Sequence, residues 1–144
     1  MILPSKKILL VTEAPGLRMT IRNLLKREHG LRNFAAAPDG RKAYEMIVAS
    51  WKTADRVELV ISDWDLPMMS GIDLLIQVRS NAELKDLPFI LMVTGDEPFH
   101  EAVQAGVSAS IEKPIDGARL IEKIREAWTK HHGGLDRSSV RKLN

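Results

Sequence analysis

Five short apolar runs alternate with segments of helical periodicity along most of the chain, and this alternation limits the possible folds more than any other feature. The runs occupy residues 7–12, 32–37, 57–62, 87–94 and 107–112. Each has the length of a β-strand, and the intervening segments carry apolar residues on one helical face. Strands and helices that alternate in this way favour a parallel sheet covered on both faces. We therefore predict a doubly wound α/β fold with five strands and five helices.

Turn and cap residues help to place the helices between these strands. Pro15 suits the first turn of a helix, and Gly30 suits its end. A later helix is predicted to open at Gly71, and the last one to end near Trp128. Residues 50–56, between the second helix and the third strand, are predicted to form an extended surface loop.

Size and composition favour one domain. The chain has 144 residues, of which 44% are hydrophobic and 28% charged, which suits a single domain with a sizeable core. The absence of Cys excludes disulfide frameworks, thiolate catalysis and Cys-ligated metals. No signal peptide or membrane-spanning run is visible, so we expect a cytoplasmic protein with no membrane association.

The formal net charge of +2 comes from the C-terminal tail. Four basic residues and one acidic residue follow Thr129, together with Gly and Ser but without apolar periodicity. We therefore predict a domain over residues 1–130 and a flexible basic tail, or the start of a linker, over residues 131–144. The tail is too short for a separate output domain, and it lacks aromatic residues that could stack on bases. Nucleic acid is not an expected partner.

Polar residues with chemical potential follow the predicted strands at the point where each strand ends. In chain order these residues are Thr12, Glu13, Asp63, Asp65, Thr94, Asp96 and Lys113. Because ligands of parallel α/β sheets bind at the carboxyl ends of the strands, we expect these side chains to gather there. Carboxylates about 5 Å apart repel by about 3 kcal/mol per pair at an effective dielectric constant near 20. Lys113 offsets part of that repulsion, and Mg²⁺ with oxygen ligands is the candidate for the rest.

The sequence around these strand ends resembles a known family. The segments VISDWDLPMMSGIDLLIQVR, LPFILMVTG and AVQAGVSASIEKPI follow ILLVTEAPGLRMTIRNLL and APDGRKAYEMI in the same order as in response-regulator receiver domains of two-component signalling. The resemblance covers about residues 5–130 and is strongest to the stand-alone CheY type. It implies a CheY-like, flavodoxin-like sheet with strand order 2-1-3-4-5.

The resemblance also implies roles for individual residues. Asp63 matches the phosphoacceptor, which attacks the phosphoryl group of a phosphohistidine or of a small phosphodonor. Thr94 and Lys113 match residues that bind phosphoryl oxygens, and Gly95 matches the small residue that leaves the site open. Pro114 matches a proline that the family usually holds in the cis form. Such transfer needs positioning and charge neutralisation more than covalent assistance.

The same resemblance implies a Mg²⁺ site, and here the sequence departs from the family pattern. The metal would be held by Asp63, by an acid at the end of strand one and by the backbone carbonyl of Asp65. Where the family usually has two acids after strand one, this chain has Thr12 and Glu13. Glu13 is the acidic metal-ligand candidate, on a side chain one methylene longer, and Thr12 could only bind a metal-bound water and brings no charge, so we expect weakened metal binding. We hypothesise that the Asp65 carboxylate partly restores the lost charge and retards an anionic phosphodonor.

Two further departures lie between Thr94 and Lys113, and the same segment holds a candidate for hydrolysis of the phosphoryl group. Ser110 occupies the position, three before Lys113, at which the family usually has a mobile aromatic residue. Only 18 residues separate Thr94 from Lys113, which leaves room for a fourth helix of about two turns. Asp96 is a candidate for guiding the hydrolytic water, although an acid at residue 96 or 97 could instead cap that helix.

Three functions therefore stay open. The first is a receiver that is phosphorylated on Asp63 by a sensor histidine kinase or a phosphotransfer protein, and that relays the signal to a downstream protein or as a homodimer. The second is a receiver-like binding module that is phosphorylated weakly or not at all. The third is an aspartyl phosphatase, suggested by the two acids in Asp63-Trp64-Asp65. We expect the first, with no enzymatic activity beyond self-catalysed phosphotransfer and slow dephosphorylation.

Overall fold

The computed structural model describes residues 5–133. Five parallel strands form one sheet in the order β2-β1-β3-β4-β5. The strands are β1 (Lys7–Val11), β2 (Phe34–Ala37), β3 (Val57–Asp63), β4 (Phe89–Val93) and β5 (Ala109–Glu112). The helices are α1 (Pro15–His29), α2 (Gly40–Ser50), α3 (Gly71–Ser80), α4 (Phe99–Ala105) and α5 (Gly117–Trp128). The predicted fold class, strand order and number of helices are confirmed.

The sheet separates two apolar cores. Buried side chains alternate along β1, so that Ile8 and Leu10 face one core while Leu9 and Val11 face the other. Helices α1 and α5 cover the first core, and helices α2, α3 and α4 cover the second. All four of these β1 side chains are at most 1% exposed, which explains why the strands read as continuous apolar runs.

Some boundaries differ from the sequence prediction. Strand β4 begins at Phe89 rather than at residue 87, because Leu87 donates its N–H to Leu84 in a turn and Pro88 cannot donate to the sheet. Strand β5 begins at Ala109, two residues later than predicted. Strand β3 runs one residue further, so that Asp63 is its last residue. The predicted short fourth helix is confirmed, since α4 has seven residues.

Helices α2 and α3 begin where backbones approach closely. Asp39 and Ser70 cap these helices by accepting hydrogen bonds from the backbone N–H groups of Lys42 and Asp73. A Cβ at Gly40 would lie 2.1 Å from the Met69 carbonyl oxygen, and a Cβ at Gly71 would lie 2.0 Å from the Asp63 carbonyl oxygen. Only glycine fits at either place; the Gly40 contact holds the β3–α3 loop against the start of α2, and the Gly71 contact holds the start of α3 against the end of β3.

The helical backbone continues past the predicted domain end at residue 130. A π-helical turn, Thr129–Gly133, extends α5, and its His131 Nε2 lies 2.7 Å from the Ser108 hydroxyl oxygen. The turn thus includes residues 131–133 of the predicted tail, and His131 contacts the residue that precedes β5; the division into a domain and a tail stays a prediction. The rest of the predicted tail, residues 134–144, lies outside the described residues. Within residues 5–133, no helix is long and apolar enough to cross a membrane.

Candidate functional site

Asp63 lies at the centre of the site, at the carboxyl end of the middle strand. It is only 6% exposed. Its Oδ2 accepts a 2.5 Å hydrogen bond from the Thr12 hydroxyl, and the Lys113 ammonium lies 2.6 Å from its Oδ1. The three residues follow or end strands β1, β3 and β5, so the structure brings together three of the predicted side chains. The carboxylate charge is balanced by one ammonium, as a buried charge requires.

The two carboxylate oxygens of Asp63 differ in their contacts, because Oδ1 lies close to Lys113 without a hydrogen-bond partner. The atom is buried, yet no hydrogen bond with an acceptable angle reaches it, so the contact with Lys113 is an ion pair rather than an aligned hydrogen bond. Oδ1 therefore keeps lone pairs available to another electrophile. It is the one carboxylate oxygen at the site that is both buried and free of a directed donor within residues 5–133.

Lys113 is positioned by the backbone on both sides. Its N–H donates to the Val93 carbonyl oxygen at 2.8 Å, which continues the pairing between β4 and β5. The Lys113–Pro114 peptide bond is cis, as predicted. The ammonium thus reaches Asp63 from the end of a paired strand.

Thr12 is fully buried and uses its hydroxyl twice. The oxygen accepts a hydrogen bond from the Ala14 N–H at 3.1 Å and donates its own hydrogen to Asp63. Its backbone N–H donates to the Ala37 carbonyl oxygen. The side chain therefore acts as a neutral link between the β1–α1 turn and the acceptor carboxylate.

The predicted acidic metal ligands are less concentrated than the sequence suggested. Glu13 and Asp65 are exposed, and residues 5–133 contain no cluster of three or more Asp, Glu or His that could hold a metal ion. Mg²⁺ often uses only one or two carboxylates, together with waters and a substrate phosphate. Asp63, with Oδ1 free of directed donors, meets that minimum. The donor set therefore fits a Mg²⁺ ion that takes few ligands from the protein.

Thr94 follows the last residue of β4, and its hydroxyl is hydrogen-bonded to Glu97 rather than to Asp63. Its hydroxyl and N–H, together with the N–H of Gly95, all donate to the Glu97 carboxylate over 3.0–3.3 Å. Partial burial raises the pKa of Glu97, but the hydrogen bonds from the backbone N–H groups of Thr94, Glu97 and Gly95 and from the Thr94 hydroxyl outweigh burial and lower the pKa overall. Glu97 therefore caps the end of β4.

The role of Glu97 was not predicted from the sequence. The expectation that an acid here caps α4 is wrong for Glu97, because α4 begins after Pro98 and the carboxylate points back to Thr94. The spacing Thr-x-x-Glu was a usable signal, since a Glu three residues after a Thr can accept from the N–H of that Thr. Asp96 is exposed, and its proposed effect on hydrolysis stays a prediction, as does the compensating role of Asp65.

A partly open cavity of about 310 Å³ lies beside the switch position. Ser110 is half-buried at its wall, and the small side chain leaves the space that a larger residue would fill. Gly95 has φ +107, and a Cβ there would lie 2.7 Å from Glu112 Oε1. The lining residues are Trp64, Val93, Gly95, Glu97, Phe99, Ser110, Glu112, Arg119 and Lys123.

The family model described as response regulator receiver domain matches residues 8–125. The chain belongs to this family. As a receiver domain it is a CheY-like domain of two-component systems, and receiver domains are signalling domains rather than classical enzymes. The aspartyl phosphatase reading is therefore dropped.

Similar proteins agree with this assignment of the receiver domain. This chain is 42% identical over 127 residues to chemotaxis protein CheY-3 of Vibrio cholerae, and the match covers 86% of this chain and 92% of that protein. It is 38% identical over 130 residues to chemotaxis protein CheY of Pseudomonas aeruginosa, covering 88% and 99% of the two chains.

Solved structures match the same fold at lower sequence identity. The signal receiver domain of an HD domain-containing protein from Pseudomonas fluorescens Pf-5 superposes with a TM-score of 0.77 at 23% identity, covering 95% of this chain and 96% of that one. The receiver domain of sensor histidine kinase PA1611 from Pseudomonas aeruginosa, which has a magnesium ion coordinated in its active site cleft, superposes with a TM-score of 0.70 at 21% identity, covering 85% and 98%.

Proposed function

We propose that this receiver domain accepts a phosphoryl group on Asp63 from a phosphohistidine of a sensor histidine kinase or a phosphotransfer protein. The observation that carries the proposal is the Asp63 carboxylate, buried at a strand end, paired with Lys113 and holding Oδ1 free of directed hydrogen bonds. A nucleophilic carboxylate needs lone pairs that no hydrogen-bond donor occupies and a nearby cation that tolerates the incoming negative charge. Asp63 has both.

In this proposal an Asp63 oxygen attacks phosphorus while the bond from phosphorus to the donor imidazole nitrogen breaks. The imidazole leaves with the electron pair of that bond and takes a proton from solvent. Lys113 moves from pairing with the carboxylate to pairing with phosphoryl oxygens, and Thr12 holds Oδ2 so that the carboxylate does not rotate. Loose phosphoryl transfer depends mainly on such positioning and neutralisation.

Mg²⁺ is part of the proposal as a weakly bound cofactor. Asp63 and the backbone carbonyl of Asp65 would hold it, with Glu13 as a more distant charge. When bound, the ion offsets negative charge on the phosphoryl oxygens. Phosphoryl transfer to Asp63 would take place in the cytoplasm. The phosphorylated domain would then present a changed surface to a downstream protein or to a second copy of this chain.

The decisive experiment is incubation with acetyl phosphate and Mg²⁺, followed by intact-mass measurement. We expect a gain of one phosphoryl group that is absent from Asp63→Ala. Asp73→Ala is the matched control, because Asp73 is an exposed aspartate on α3 and should leave the gain intact. Equal gain in Asp63→Ala would mean that another residue accepts the group.

A second function is favoured by two contacts. Thr12 supplies a neutral hydroxyl to Asp63, and the hydroxyl of Thr94 is engaged by Glu97. Both contacts suit a receiver-like binding module that is phosphorylated weakly or not at all. If neither acetyl phosphate nor a phosphorylated kinase produces the mass gain, and beryllofluoride does not bind, this second function replaces the first.

A further inference from the structure

Thr94 and Gly95 form an anion-binding nest at the end of β4. Their two successive N–H groups point at one carboxylate, that of Glu97, at 3.0–3.1 Å. Gly95 has φ +107, and successive N–H groups that converge through such a backbone make a concavity that suits an anion. The Thr94 hydroxyl adds a third donor at 3.2–3.3 Å.

The nest lies on the strand next to the acceptor. Asp63 is paired with Met92 in the sheet, and the Trp64 N–H donates to the Met92 carbonyl oxygen at 3.1 Å. Thr94 is two residues beyond Met92, so the nest and Asp63 share one edge of the sheet. An anion attached to Asp63 would therefore be placed beside donors that the Glu97 carboxylate now occupies.

We infer that Glu97 is a positioning residue for phosphoryl transfer, an internal anion that holds the Thr94 donors until the incoming phosphoryl group displaces it. The inference rests on the proposed function. A hydroxyl has one hydrogen to donate, so Thr94 cannot serve Glu97 and a phosphoryl oxygen with the same hydrogen. Two anions in one nest would also repel each other, so binding of the second requires release of the first.

The neighbouring cavity gives the displaced carboxylate a destination. Glu97 already lies at its wall, and Arg119 and Lys123 of α5 line the same space. The cavity has a volume of about 310 Å³, and the small side chain of Ser110 also lines it. Glu112 also lines the cavity and repels the Glu97 carboxylate, and the positive charges of Arg119 and Lys123 offset that repulsion. Motion at this switch would then belong to an acidic side chain rather than to an aromatic one.

The inference predicts that beryllofluoride, an unreactive anion of phosphoryl shape, binds more tightly when Glu97 loses its charge. We expect Glu97→Gln to lower the dissociation constant by about three- to tenfold, because a neutral amide holds the nest donors less strongly than a carboxylate does. Glu97→Ala should act in the same direction. Binding can be measured by fluorine NMR at a fixed, saturating Mg²⁺ concentration, without any turnover.

Two matched variants separate displacement from other effects of charge. Glu101→Gln removes an acid from the exposed side of α4, and we expect no change in affinity. Asp96→Asn removes a charge from the same loop, and only its through-space repulsion should be lost, so the gain should be well below that of Glu97→Gln. The amide resonances of Thr94 and Gly95 should move in Glu97→Gln and should move in the wild type when beryllofluoride binds.

The direction of the affinity change distinguishes displacement from a structural role. If Glu97 only braces the loop, Glu97→Gln will bind beryllofluoride as well as the wild type does or more weakly, and the inference is overturned. A gain as large in Asp96→Asn would also overturn it, in favour of general repulsion. If neither the wild type nor any variant binds beryllofluoride or gains mass with acetyl phosphate, the proposed function itself fails.

Discussion

The hydroxyl of Thr12 donates a hydrogen bond to Oδ2 of Asp63 at 2.5 Å, so a neutral side chain from β1 orients the carboxylate at the end of β3. Charge balance comes from the other side, where the Lys113 ammonium lies 2.6 Å from Oδ1. The two partners of this ion pair differ in exposure, since the Asp63 side chain is 8% exposed and that of Lys113 is 35% exposed. Removing one partner is therefore not equivalent to removing the other.

This difference predicts the stability of the two single variants. Lys113→Gln leaves a buried carboxylate without its cation and should lower the free energy of unfolding by about 1–2 kcal/mol, less than for a fully buried pair because water reaches Lys113. Asp63→Asn leaves a lysine that can turn to solvent, so its cost should be less than half as large. Urea unfolding of both variants near neutral pH measures this, and equal costs would contradict the argument.

Most of the fold could be predicted because it depends on patterns that extend over many residues. The five apolar runs gave the sheet, and strand ends on a parallel sheet share one edge, which is why Asp63 and Lys113 were expected together. The strand boundaries were less accurate at β4 and β5, where a turn at Leu87 and the Ser108 anchor shorten the strands. A local hydrogen bond decides such a boundary, and apolar periodicity does not report it.

The parts of the site that were missed depend on side-chain directions within short loops. Thr94 and Glu97 are three residues apart, and nothing in the strand pattern says whether the hydroxyl faces Asp63 or Glu97. The position of Glu13 was equally open, because an exposed and an inward side chain at the end of β1 differ only in the turn that follows. The directions of the Thr94 and Glu13 side chains depend on the backbone geometry of short loops, which apolar periodicity does not predict.

Gly71 should be the least replaceable glycine near the site. A Cβ there would lie 2.0 Å from the Asp63 carbonyl oxygen, so Gly71→Ala must move either α3 or the end of β3. We expect a loss of about 2–4 kcal/mol of unfolding free energy, in the range of severe overpacking, together with weaker beryllofluoride binding. Gly16→Ala is the matched control, since nothing lies within 4 Å of its added Cβ in α1, and it should be neutral or slightly stabilising. Similar stability of both variants would show that the β3–α3 loop yields easily.

His131 should make the stability of the domain depend on pH. Burial lowers its pKa to about 4, with the positive charges of Arg79, His132 and Lys130 acting in the same direction and Asp86 opposing them. Between its ordinary pKa near 6.5 and about 4, the unfolded chain binds a proton that the folded one does not, so stability falls as the pH is lowered through this range. Because the imidazole is only half-buried, we expect a loss of about 1 kcal/mol rather than the full value of the shift.

The contribution of His131 can be isolated by comparing variants. Urea unfolding at about pH 7 and about pH 4.5 should show a smaller loss for His131→Gln than for the wild type. His100→Gln, an exposed histidine on α4, should keep the wild-type dependence. An unchanged dependence in His131→Gln would mean that His131 does not cause the loss of stability at low pH.

Met68 is held in a backbone conformation that costs stability. It has φ +68 and is 73% exposed, so no packing of its side chain repays the strain. Met68→Asn should raise the free energy of unfolding by about 0.5–1 kcal/mol, because Asn tolerates this region better. Met19→Asn is the comparison, since Met19 is also exposed but lies within α1, where Asn is a weaker helix former and should lower stability slightly. A loss in both variants would indicate that the Met68 side chain has a stabilising contact in solution.

Thr12 should set the Mg²⁺ affinity of the receiver domain. Thr12→Asp places a second carboxylate against Asp63, and Mg²⁺ then gains a charged ligand where the wild type offers a hydroxyl. We expect Mg²⁺ to bind at least about tenfold more tightly, measured through the fluorescence of Trp64. Thr12→Asn has nearly the same shape without the charge and should not tighten binding. Stability without Mg²⁺ should follow the opposite order to Mg²⁺ affinity. The two adjacent carboxylates of Thr12→Asp then share only Lys113, so this variant should unfold at a lower temperature than Thr12→Asn. Equal Mg²⁺ affinity in the two variants would show that charge at this position does not limit metal binding.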